Sequence, residues 1–241
     1  LVRSRGLGDV YKRQGLYVAP IRSGVTSSRG LENAVRAFML LTVQLLERTL
    51  EGSSPIDAEI LADGQRAFVE GTHPVIIAHS GSDRLVLRYE YLLRYDDVND
   101  DVEIEKSTFK IEFRARKKPA PVVRFEYESQ ARNKPASHFQ FHADSVPLGL
   151  LLARAGRYDT AAQQQDIHFP MGGPQFRLQL TDVVELLIRE FGAAPETGWE
   201  EWLDFHRTLY HDAEVDRVIR GNLSRAVTIL EESGYRVEGP E

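Results

Sequence analysis

The chain has no cysteine among its 241 residues. That excludes a disulfide framework, a thiolate nucleophile and any cysteine-built zinc or iron–sulfur site. It is also the composition expected of a reducing compartment. Long apolar runs are absent too. The longest, Phe38 to Leu46, contains Gln44 and lies between Arg36 and Glu47. It reaches about half of the roughly 20 residues that a bilayer-spanning helix needs. A buried helix, a cytoplasmic location and no membrane partner are therefore expected. No secretory signal is recognisable. No serine-hydrolase elbow, Walker loop, kinase set or zincin helix occurs either. No cofactor is implied.

What is present fits a folded protein. Hydrophobic residues make up 42% and charged residues 27%, both within the globular range. A domain of this length buries about 70% of its unfolded surface and needs no staple. The formal charge of −6 argues against a protein that coats DNA, but it leaves room for a local basic site. Asp9 to Gln14 reads Asp-Val-Tyr-Lys-Arg-Gln. This resembles the translation of a transposon end used to prepare sequencing libraries, a contaminant of metagenomic reads. Leu1 to Gln14 are accordingly expected to be non-native, and the glycine-rich look-alike at Arg5 to Gly8 is set aside with them. Residues 15–30 read as an uncertain loop.

Periodicity predicts the elements. Leu31, Ala34, Val35, Phe38, Leu41, Leu45, Leu46 and Leu50 form a helical stripe, stopped by Gly52 to Pro55. Pro55, with Ser54 as cap, opens a second predicted helix to about Glu70. From Pro74 the period becomes two. Strands are expected at Pro74–His79, Leu85–Asp96, Glu103–Arg116, Val122–Ser129 and Ser137–Ala143, with a hairpin at Ser80–Asp83. Beyond Asp144 helical spacing returns, interrupted by an edge strand at Ile167–Pro170. Helices are predicted at Asp182–Phe191, Thr197–Tyr210 and Leu223–Ser233. The result is an α+β fold. It has a helix pair at 31–70, an antiparallel meander of about five strands at 74–143, and a helical part at 146–234 covering one face. Together these form one domain over 31–238.

One strand concentrates candidate chemistry. Ser137 to Ala143 reads Ser-His-Phe-Gln-Phe-His-Ala. Alternation predicts Phe139 and Phe141 in the core, with His138, Gln140 and His142 on the polar side. In the preceding strand Arg124, Glu126 and Glu128 share that side. One register sets Glu128 opposite His138; a shift of two sets Glu126 there. Either way imidazoles, carboxylates and a guanidinium meet, a kit for proton transfer beside a bound anion. On a strand His138 and His142 stand about 13 Å apart, too far to share one metal or one proton. If a metal binds at all, the candidate ligands are His138, Glu126 and His168, with His142 and Glu128 as substitutes. The bland reading is an ordinary wet sheet face.

A basic island surrounds this hairpin. Arg114, Arg116, Lys117, Lys118, Arg124, Arg132 and Lys134 face only Glu126 and Glu128. The functional reading is a phosphate-binding edge using Arg116, Lys117, Lys118, Arg132 and Lys134; the bland one is edge protection. Elsewhere Trp199, Trp202, Leu203, His206 and Tyr210 read as a core stripe. His73 and His79 have no partners nearby in sequence, and Asp96 to Asp101 reads as a solvated turn.

Val123 to Ser129, Val-Arg-Phe-Glu-Tyr-Glu-Ser, followed by Ala136 to His142, resembles the TumE-like bacterial toxins and related bacterial proteins. Arg124, Phe125 and Glu126 match that family's Arg, aromatic and acid, and His138 and His142 match its later histidines. His168 to Pro170, Phe176-Arg177 and Thr181 to Glu185 resemble its C-terminal part. The match departs at Tyr127 and Glu128, where an Asn belongs. The resemblance implies a toxin–antitoxin setting and an RNA target. A hydrolase or nuclease activity centred on Arg124, Glu126, Glu128, His138 and His142 would follow from it. The other expectation is a non-catalytic partner or immunity component that uses the same face, or the C-terminal helices, to bind a protein encoded nearby.

Overall fold

The computed structural model describes residues 18–24, 29–114, 119–172 and 176–239. Two compact units emerge, Leu1–Trp199 and Glu200–Glu241, where the sequence suggested one domain.

The first unit is built on a single sheet whose eight strands lie in chain order. They are β1 (Arg22–Ser23), β2 (Ile56–Ile60), β3 (Arg66–Ile77), β4 (Ser82–Asp96), β5 (Asp101–Arg114), β6 (Pro119–Glu128), β7 (Ser137–Phe141) and β8 (Phe169–Pro170). All neighbours pair antiparallel except β1 with β2. The predicted α+β class and antiparallel arrangement are present, with eight strands in place of five.

The second predicted helix does not form. Its residues build β2 and the start of β3. Ile56, Ala58 and Ile60 are buried while Asp57 and Glu59 are exposed, so the true period there is two. Pro55 after Ser54 suggested a helix start, but a local start signal is weak beside a buried alternating face. The turn between the strands is local chemistry. Asp63 accepts from the backbone N–H groups of Gln65 and Arg66 at 3.0 and 3.1 Å, and Gly64 takes φ 66°, a conformation free to glycine.

Helix α1 (Arg29–Thr49) lies across one face of β2 to β5. Its Phe38 meets Tyr91 edge-on at 4.9 Å, and Leu31, Val35, Met39, Leu45 and Leu46 are fully buried. Helix α4 (Leu180–Arg189) sits beside α1 and buries Leu180, Val183, Val184 and Leu187. The sheet face is thus covered by the N-terminal helix with one later helix. Between β7 and β8 come α2 (Val146–Arg154), α3 (Tyr158–Ala162) and a 3₁₀ turn, Gln164–Asp166. Among the described residues no helix is long and apolar enough to cross a membrane.

The second unit holds most of α5 (Trp199–Gly221) and all of α6 (Leu223–Glu232). Within it Phe205, Val215, Val218, Ile219, Leu223, Ile229 and Leu230 are exposed.

Candidate functional site

The register between β6 and β7 decides which side chains meet. Glu126 stands opposite His138 and Arg124 opposite Gln140. The hairpin connection at 129–136 is closed by Glu128 N–H donating to the Ala136 carbonyl at 2.8 Å.

Burial at β7 is the reverse of the expectation. His138 is fully buried and Gln140 is 8% exposed, whereas Phe141 is 46% exposed. Phe139 and Phe141 do lie on the α1 face, but α1 reaches only the central strands, so at β7 that face is thinly covered. The opposite face is closed there by the segment returning to β8. Gln164 clamps this segment: its Oε1 accepts from Ser145 N–H at 2.8 Å and its amide donates to the Ser145 carbonyl at 3.0 Å. Phe169 then stacks on Phe139 at 5.1 Å, and Met171 N–H donates to the Ser137 carbonyl. This brings His168 over His138, ring centroids 4.7 Å apart.

His138 is held at both nitrogens. Nδ1 lies 2.9 Å from the Pro135 carbonyl and Nε2 lies 2.9 Å from Glu126 Oε2. A carbonyl only accepts, so Nδ1 carries a proton. Burial pushes the ring below the ordinary imidazole value, opposed by the Pro135 carbonyl and the Glu126 carboxylate. Burial alone would raise Glu126, but Lys134, Arg124 and His138 outweigh it and hold the carboxyl below its usual value. The Nε2–Oε2 contact closes as a hydrogen bond only with a second proton between them, so the two groups titrate as a unit.

His138, sealed and doubly bonded, is therefore a positioning group. The accessible members of the cluster are His168, Asp166, the half-buried His142 and Arg124, whose side chain is 36% exposed. Gln140 Nε2 lies 3.3 Å from His168 Nε2; the amide donates there, which places the His168 proton on Nδ1. On this face Gln140 Oε1 and His142 Nε2 are among the buried side-chain atoms of the described residues with no hydrogen-bond partner. Burial, and then Arg124, push His142 below the ordinary imidazole value, while Asp166 pulls it up.

Much of the basic island is already paired. Lys134 bridges Glu126 at 3.4 Å and Glu128 at 3.6 Å. Lys106 holds Glu128 at 2.6 Å, and Arg124 meets Glu126 at 3.4 Å. Arg132 is exposed. Arg116, Lys117 and Lys118 lie outside the described residues. Glu128 faces Lys106 rather than His138. Among the described residues no three His, Asp or Glu side chains converge in a way that could hold a metal, and both His138 nitrogens are committed. Gln140 was placed on the polar side by its alternation with the histidines but was given no role; Asp166 was missed in the sequence and arrives only through the Gln164 clamp.

A separate cleft of about 340 Å³ is lined by Ile77, Ser80, Arg84, Leu85, Phe113, Val122 and Phe191. Leu85 and Phe113 pair with each other and share the α1 face, so this apolar cleft lies across the sheet from the polar cluster.

No protein-family model, no curated protein and no solved structure matches the chain.

Proposed function

We propose that this is an RNA-directed protein of the toxin–antitoxin type, working on the polar face of the β6–β7 hairpin. Arg124 takes a phosphate, and His142 and His168 are the accessible acid–base groups. The Glu126–His138 pair braces the hairpin beneath them. The observation that supports this reading is the convergence of Arg124, His138, His142 and His168 from three segments on one face. Imidazoles beside a guanidinium suit proton transfer at a phosphodiester. The accessible pair replaces the sealed His138 as the reacting groups.

Expression of the chain in a bacterium is the direct test. Growth should arrest and transcripts should be cleaved. A double His142→Ala, His168→Ala variant should restore growth while remaining folded. Normal growth with abundant wild-type protein would count against the reading.

A second reading, a partner or immunity component, draws on a different observation. Phe205 is 50% and Leu223 61% exposed in the Glu200–Glu241 unit, and exposed apolar clusters mark contact surfaces. It expects a stable complex with the product of the adjacent gene that survives His→Ala changes. Failure to co-purify when the two are expressed together would remove it.

A further inference from the structure

Helix α6 is 10 residues long and carries Leu223, Ala226, Val227 and Leu230 at the spacing of one helical stripe. Leu223 and Leu230 are exposed, and among the described residues 207–239 none is buried. A helix this short is marginal in water without something to pack against. Its charges add a second observation. Arg225 stands in the first turn and Glu231 and Glu232 in the last, each of the wrong sign for the helix dipole at its end. In α5 the cations are paired along the helix, Arg217 with Glu214 at 2.8 Å and Arg220 with Asp216 at 3.2 Å. Among the described residues Arg225, Glu231 and Glu232 have no such ion pair.

We propose that two copies of the chain join through α6, antiparallel about a two-fold axis near Thr228 and Ile229. Arg225 and Glu232 lie two helical turns apart and so share one flank of the apolar stripe. A two-fold antiparallel pair brings that same flank of each copy together with its ends exchanged. Arg225 of each copy then meets Glu232 of the other, and Leu230 packs beside Val227 around the axis. Each charge that opposes its own helix dipole faces an opposite charge across the axis. A parallel pair would set like charge on like at both ends. The area also suits a second copy. With Phe205, Val215, Val218, Ile219 and Tyr235, the unit exposes roughly 600–800 Å² of apolar side chain, against about 800 Å² buried on each partner of a standard interface. A lipid surface fits less well, because α6 sets one cation against two carboxylates and anionic headgroups repel it. The proposal is independent of the RNA reading. It gives the α6 surface to a second copy in place of the foreign protein of the second reading.

Sedimentation equilibrium of the full chain across the micromolar range tests the proposal. A reversible dimer is expected, and Leu230→Glu should leave a monomer. Charge reversal keeps the test sharp should that variant fail to fold. Arg225→Glu alone and Glu232→Arg alone should each weaken the dimer about tenfold, because each sets like charges together at both ends. An equimolar mixture of the two should dimerise as well as the wild type, since both contacts are then complementary. Orientation is read from thiol cross-linking, which is clean because the chain has no cysteine of its own. Ile229→Cys, beside the axis, should link to its copy through a short bifunctional reagent. Leu223→Cys, roughly 16 Å along the axis from its copy at 1.5 Å per residue, should not. A chain that stays monomeric, alone or on anionic vesicles, would overturn the proposal. So would a dimer indifferent to Leu230→Glu and to both charge reversals, or equal cross-linking at the two cysteines.

Discussion

His138 donates through Nδ1 to Pro135, so its bond to Glu126 needs a second proton or a different partner. Glu126→Gln supplies that partner, because an amide N–H can donate to a neutral Nε2. This variant is expected to keep wild-type stability in urea while its ring titrates lower, having lost the carboxylate. Glu126→Leu leaves Nε2 buried and bare and is expected to cost about 1–3 kcal/mol. Equal losses for both variants would refute the shared-proton account. His73 is the contrasting case. It is fully buried, with Nδ1 2.7 Å from Ser54 Oγ and Nε2 3.1 Å from the Glu51 carbonyl. Nε2 donates and Nδ1 accepts, so the ring is neutral, and burial pushes its pKa down to about 4. Between the unfolded value near 6.5 and about 4 the unfolded chain binds the extra proton. Stability contributed by the neutral ring is complete above that window and falls with pH through it, by about 1.4 kcal/mol per unit. His206, also buried and lowered to about 4, adds to the same slope. His73→Gln should remove one proton's share of the slope in denaturation curves across pH 7 to 4.

At the scale of elements, strands β3 and β4 meet where no side chain fits. Gly71 pairs with Tyr89, and a Cβ on Gly71 would overlap the fully buried Tyr89 ring. Gly71→Ala is expected to lower stability by about 1–3 kcal/mol through overpacking, seen as a lower thermal midpoint. Gly81→Ala, where a Cβ meets nothing within 4 Å but φ is 61°, should cost only the backbone strain, about 1 kcal/mol. The elements themselves were partly legible. Clean alternation in Thr108 to Phe113 gave β5 its two faces. Reading Ser54-Pro55 as a helix start concealed the hairpin that turns at Asp63-Gly64.

Taken as a whole molecule, the chain is acidic, and its polar sheet face is a mosaic of paired charges. Arg88 holds Glu112 at 2.6 Å and Lys110 holds Glu90 at 2.7 Å, beside the Lys134 and Lys106 bridges. Such exposed pairs add little to stability, but among the described residues they leave few cations for a phosphate backbone. The RNA binding proposed above should therefore depend weakly on salt. About three phosphate contacts give a slope near −2 in log K against log salt, measurable by fluorescence anisotropy. A slope of −6 or steeper would place the interface on a larger basic surface.

Residue spacing alone determined that Arg124, Glu126, His138, Gln140 and His142 share a face, because strand side chains alternate whatever the surroundings. It also determined that Phe139 and Phe141 share the other. Which face is buried at β7 was decided only by tertiary structure. Alternation sorts side chains into two sets, but burial depends on what packs above each. Helix α1 stops short of β7, and the Gln164 clamp folds a distant segment over the polar side. That long-range closure seals His138, brings His168 and Asp166 to the hairpin, and leaves Gln140 Oε1 buried and bare.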